Sequence, residues 1–156
     1  MNIKSIGIWL ALTAVMATAT YWLAIHQAPR FIMNKALTTL TERYETPYNT
    51  IGHSARIDAE QRRVVRPSPD LAYSVCVFDL SSQQRIQITL PKASDYLSVA
   101  LYDNDTNNFF HLNDSQILSE GATIYLYAPK VGIVTEVADN VDMYSLNAPT
   151  QRGLAL

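Results

Sequence analysis

The chain has 156 residues, with 12 lysines and arginines against 14 aspartates and glutamates, a net charge of −2 and 48% apolar side chains. That length supports one domain with its own core, and the interspersed signs leave no basic stripe to neutralise phosphates, which argues against a nucleic-acid partner. The only cysteine, Cys76, cannot close an internal disulfide and therefore fixes no redox compartment.

Residues 5–25 contain no charged side chain. A helix rises about 1.5 Å per residue, so a run of this length crosses the ~30 Å hydrocarbon core of a bilayer. Lys4, the apolar run 6–15 and the small residues Ala17 and Ala19 have the layout of a cleavable signal peptide. Hydrophobicity nevertheless continues through Tyr21, Trp22, Leu23, Ala24 and Ile25, with an aromatic pair placed as at a membrane interface, so an uncleaved signal anchor is expected. Orientation draws two ways. Arg30, Lys35 and Arg43 outnumber Lys4, which favours a cytoplasmic C-terminal part, whereas the signal-like start favours export, the expected orientation.

Phe31, Ile32, Met33, Ala36, Leu37 and Leu40 recur at helical spacing and predict a short amphipathic helix ending near Arg43, with Pro47 as the stop and its apolar face either on the membrane interface or, the commoner case for so short a helix, on the following domain. The expected organisation is a flank at 1–4, the anchor at 5–25, a juxtamembrane helix and linker at 26–47, a β-rich domain at 48–149 and a tail at 150–156. Arg56, Arg62, Arg63 and Arg66 form a solvated basic stretch, and Pro67 and Pro69 make the next connection rigid.

From there the period changes to two. Strands are predicted at 73–80, 85–90, 96–102, 109–112, 123–128 and 131–137, the first two joined as a hairpin through the turn at 81–84. Beyond Val137 the chain is polar, and the apolar residues at the C-terminus are either one more strand or a frayed end. Short strands with tight turns give a mainly β fold class: an antiparallel β-sandwich or partial barrel, preceded by a transmembrane helix and a short amphipathic helix.

Arg66, Pro67, Asp70, Tyr73 and Ser74 lead into Asp79-Leu80-Ser81, followed by Tyr96 and Ser98 and then Thr106-Asn107-Asn108-Phe109. This ordered set, within residues 48–149, resembles the domain-of-unknown-function 1254 family. The resemblance implies a β-rich domain, often exported in bacteria and often joined to or encoded beside a module of the 1214 family type, without an established activity. It thus implies a possible companion protein and, with the anchor, a single-pass protein of the bacterial inner membrane with a periplasmic domain.

Arg66, Asp70, Tyr73 and Asp79 are candidates for one salt-bridge and hydrogen-bond network, structural before it is a ligand site. Asp103, Asp105, Asn107 and Asp114 superficially follow a calcium loop, but Asn108 stands where glycine belongs and Asp114 where a bidentate glutamate belongs, so an Asn/Asp turn is the preferred reading. His53 and His111 have no zinc-ligand spacing, the serines have no nucleophile elbow, and Cys76 sits in an apolar strand. Tyr96, Tyr102, Tyr125 and Tyr127 are candidates for a sugar-binding or partner face, or for ordinary sheet positions.

No metal or cofactor is expected, and no catalytic residue is assigned. The candidate ligand-binding or structural residues are Arg66, Asp70, Tyr73, Asp79, Tyr96, Asn107 and Asn108. The first functional expectation is a membrane-anchored, non-catalytic binding or assembly module with a companion protein. The alternative is a subunit of a hydrolase-type enzyme, with acid–base carboxylates among Asp70, Asp79 and Asp103.

Overall fold

A computed structural model describes residues 3–54, 68, 70–117, 121–129, 136–138 and 142–156. Helix α1, Ile3–Tyr44, runs unbroken where the sequence suggested two helices. Pro29 lies inside it and removes one backbone bond to the carbonyl four residues back, a cost of about 3 kcal/mol. No glycine stands nearby to end the helix, and contacts beyond the proline hold it. Arg30 is ion-paired to Asp105 at 2.5 Å, and Met33 and Leu37 are buried against Val75 and Val77.

The 42-residue helix is about 63 Å long at ~1.5 Å per residue. Its first part stands clear of the domain, with Trp9, Trp22 and Phe31 all largely exposed. Its last part docks through a stripe of Met33, Leu37, Leu40 and Tyr44, spaced so that all four share one face. Past Tyr44 the N–H of Glu45 reaches the Glu42 carbonyl and that of Thr46 reaches the Thr41 carbonyl. This is a Schellman cap, with Glu45 in the left-handed region at φ 51 and Pro47 immediately beyond.

Among the described residues nine strands follow: β1 (Ile51–His53), β2 (Ser74–Asp79), β3 (Arg85–Pro91), β4 (Ser98–Asp103), β5 (Asn108–Asn113), β6 (Gly121–Tyr127), β7 (Glu136–Ala138), β8 (Met143–Asn147) and β9 (Arg152–Ala155). One sheet has the order β1-β2-β9-β4-β5 and the other β3-β6-β8-β7. Phe78, Leu101 and Leu112 from the first sheet and Ile124, Leu126 and Leu146 from the second share one buried core. The fold is mainly β, and neither sheet closes into a barrel.

Several expectations are corrected. β2 and β3 are not a hairpin: β2 pairs with β1 and β9, and β3 with β6 in the other sheet. β2 is apolar on both faces because Cys76 and Phe78 enter the shared core while Val75 and Val77 meet α1, and such a strand belongs inside a sheet. The second sheet is mixed, since β6 and β8 are parallel. β8 lies in the stretch read as polar, and within this strand only Leu146 is buried. Of the 131–137 strand, residues 131–135 fall outside the described residues.

The C-terminal segment is β9, at the centre of the five-stranded sheet. Gly153 is required there: a Cβ would lie 2.2 Å from the Tyr102 carbonyl oxygen and 2.4 Å from the Phe78 ring.

Candidate functional site

The polar residues gather at one end of the five-stranded sheet, where β2 and β4 finish and β9 begins. β2 carries Asp79 to this end, and register places it opposite Arg152. The Asp79 carboxylate accepts from Arg152 Nε at 2.7 Å and from the Ser81 backbone N–H at 2.8 Å. Burial alone would push this carboxyl up, but the hydrogen bonds from Ser81 and the Arg152 guanidinium outweigh it and hold the group below the usual range. The Arg152 guanidinium also lies over the Tyr48 ring, 5.5 Å from its centroid.

Asn49 completes this corner. With φ 62, its side chain donates to the Asp79 carbonyl at 2.9 Å and accepts from the Asp79 N–H at 2.8 Å, while its own N–H reaches the Val77 carbonyl. One side chain thus serves as a further strand partner for β2.

On the neighbouring strand, Asp103 Oδ1 accepts from the N–H groups of Asp105 and Asn107 at 2.9 and 2.8 Å, and Asn107 Nδ2 donates to Oδ2 at 3.0 Å. These bonds close the β4–β5 turn. Asp105 projects from it to Arg30 and ties the turn to α1. The Asn104 N–H donates to Thr150 Oγ1, which donates to the Arg152 carbonyl, whereas Asn104 Oδ1 is buried without a partner among the described residues.

Between these elements lies a cleft of about 540 Å³ whose wall includes Asn34 of α1, Ser81, Asn104, Thr150, Gln151 and Arg152. Its chemistry is that of binding: a cation fixed by Asp79, side-chain amides and hydroxyls. Among the described residues no three His, Cys, Asp or Glu side chains gather as a metal site.

The predicted network is divided. Arg66 lies outside the described residues. Asp70 is exposed at the start of β2, and the Tyr73 hydroxyl accepts from the Ser68 N–H at 3.0 Å. The whole of β2 separates both from Asp79, whose cation is Arg152. Of the three carboxylates considered for acid–base chemistry, Asp79 and Asp103 share one end of the sheet and Asp70 lies at the other. Asn107 is in the Asp103 turn, Asn108 is exposed where β5 begins, and Tyr96 is exposed before β4.

The four tyrosines form no common face. Tyr102 packs beneath α1, while Tyr125 and Tyr127 lie against Arg85 on the other sheet. The calcium-like spacing is likewise split, because Asp114 follows β5 at the end of the hairpin opposite Asp103. His53 and His111 occupy opposite edge strands. Cys76 is buried, and burial pushes its thiol up.

Asn34, Asn49, Asn104 and Arg152 were missed in the sequence. Arg152 left one signal, as the only charged side chain after Asp142 in an otherwise uncharged terminal stretch. The asparagines left none, because their roles depend on strands distant in sequence.

Fold and cleft define a two-sheet β-domain docked on the end of an apolar N-terminal helix. The chain belongs to the family described as Protein of unknown function (DUF1254), which matches residues 48–156. No curated protein matches the chain. Among solved structures it is similar to the crystal structure of the VPA0106 protein from Vibrio parahaemolyticus, with a TM-score of 0.57 and 12% identity. The match covers 85% of this chain and 30% of that one, so the chain spans under a third of the solved protein's length. At this identity the likeness is one of fold alone.

Proposed function

We propose that this chain is a single-pass protein of the bacterial inner membrane whose β-domain, a sandwich of two sheets, faces the periplasm and acts as a non-catalytic binding or assembly module. The observation that carries the reading is the continuity of α1. One helix joins an exposed segment long and apolar enough to cross a bilayer to a segment packed on the sheet, and so holds the domain at a fixed place above the membrane. The hydrolase alternative draws less support, because Asp79 is held ionised in an ion pair and Asp103 is bound within its turn.

A companion of the 1214 family type is the proposed partner. Support comes from the solved structure of similar fold, in which the matching part is 30% of a longer chain, and from β5, an edge strand of its sheet among the described residues. The test places a photo-reactive amino acid at the exposed position His111 of the full-length chain in native membranes. Cross-linking to one second β-domain protein in a fixed ratio is expected. A chain that remains alone and monodisperse overturns the assembly reading. An alkaline phosphatase fused after Leu156 should be active; an inactive fusion with normal expression overturns the periplasmic orientation.

A further inference from the structure

The geometry points to the cleft beside Arg152 as a binding site for a phosphate ester carrying an N–H donor, the chemistry of an ethanolamine phosphate headgroup. Three observations carry it. First, Asp79 engages Arg152 only at Nε, and the two terminal guanidinium nitrogens make no hydrogen bond to described residues. The Asp79 contact and the Tyr48 ring fix the plane of the fork, leaving its paired donors for a second anion. Second, Asn104 lines the same cleft, and its Oδ1 is closed off from solvent with no hydrogen-bond partner among the described residues, which costs stability unless a donor reaches it. An oxyanion alone satisfies the arginine but repels this oxygen; an oxyanion with a neighbouring ammonium satisfies both.

The third observation is height. Arg30 and Asn34 follow Ile25 by five and nine residues of continuous helix, hence by roughly 7 and 13 Å at ~1.5 Å per residue. The polar layer extends about 5 to 8 Å beyond each side of the hydrocarbon. The Arg30–Asp105 contact therefore lies at the outer edge of the headgroup layer, with the Asn34 wall of the cleft roughly 6 Å farther out, so the cleft stands just outside the membrane surface. Phosphate esters are the anions most concentrated there. The lipid source of the ligand rests on the anchored reading proposed above; binding of a free ester does not.

The test uses the full-length chain in a neutral, phosphate-free detergent, titrated calorimetrically with phosphoethanolamine and with phosphocholine, whose quaternary nitrogen has no N–H to give. Phosphoethanolamine should bind at least about tenfold more tightly, the worth of one good hydrogen bond to a buried acceptor. Asn104→Ala should abolish the difference between the two esters. Arg152→Lys, which keeps the charge beside Asp79 but loses the fork, should weaken both. Thermal melts of each variant separate loss of binding from loss of fold.

Absence of phosphoethanolamine binding to the folded chain overturns the proposal, as does equal binding of both esters unaltered by Asn104→Ala. Native mass spectrometry from bilayers of mixed phosphatidylethanolamine and phosphatidylcholine then distinguishes the sources. Selective retention of phosphatidylethanolamine assigns the lipid; binding of the free ester without lipid selectivity assigns a soluble ester. Carbonate extraction reports anchoring separately: a chain that leaves the membrane yet binds the free ester refutes the anchor and retains the site.

Discussion

Asn49 shows how one side chain can stand in for a strand. It satisfies both backbone groups of Asp79 and adopts a left-handed conformation that asparagine tolerates better than alanine. Asn49→Ala removes both bonds and leaves an N–H of a buried residue unpaired, so a loss of about 2 to 3 kcal/mol is expected in chemical denaturation. Asp79 itself gives a pH signature. Its folded pKa lies below the unfolded value of about 3.9, so its contribution is fully present above that value and is lost as pH falls through the folded pKa. Arg152→Gln removes the ion pair. The variant should melt lower at neutral pH yet lose less Tm than the parent between about pH 6 and pH 3. Parallel Tm curves for the two proteins would show that the pair does not set the acid response.

At the scale of elements, helix and sheet meet through a second cluster, built from Met33, Leu37, Val75 and Val77 and separate from the core between the sheets. Leu37→Ala leaves a cavity there at a cost of about 2 to 4 kcal/mol. Hydrogen exchange should rise in residues 33–44 of α1 and in β2, with little change in β6, whose Ile124 and Leu126 belong to the other cluster. Equal acceleration throughout would mean that helix and sheets open as one unit. The same elements show what the sequence made legible. Alternation exposed β3, β4 and β6, because each has one core-facing row. It could not assign partners, because residues 73–80 and 85–90 look like a hairpin until one sees that β2 needs neighbours on both sides. β8 escaped because its inward positions are few, and the α1 continuity escaped because residues 26–30 fall between the uncharged run 5–25 and the helical spacing that starts at Phe31, while Arg30, Met33 and Leu37 hold the helix through contacts far away in sequence. The polar cleft was legible only at Asp79 and Asp103; its arginine comes from a segment indistinguishable from a tail.

At the scale of the whole molecule, β9 follows every other strand in sequence yet lies at the centre of its sheet. Cys76 to Asp79 pair with it on one side and Leu101 to Asp103 on the other, and Ala100 exchanges two backbone bonds with Leu156. Without it the sheet falls into a β1–β2 pair and a β4–β5 pair, and two-stranded units of this size are marginal in water. Phe78 and Leu101, fully buried now, would lose the strand between them. Ending the chain after Gln151 should therefore abolish the cooperative thermal transition and the near-ultraviolet signal of the packed aromatics, whereas loss of a frayed tail would shift Tm by a degree or two. The non-local pairing also makes folding slow for its size, because the sheet's two halves join only through a strand some fifty residues beyond β4. Gly153→Ala provides the check that keeps the chain at full length. Its methyl group has no room between the Tyr102 carbonyl and the Phe78 ring, so if β9 is the central element this one carbon should approach the truncation in its effect.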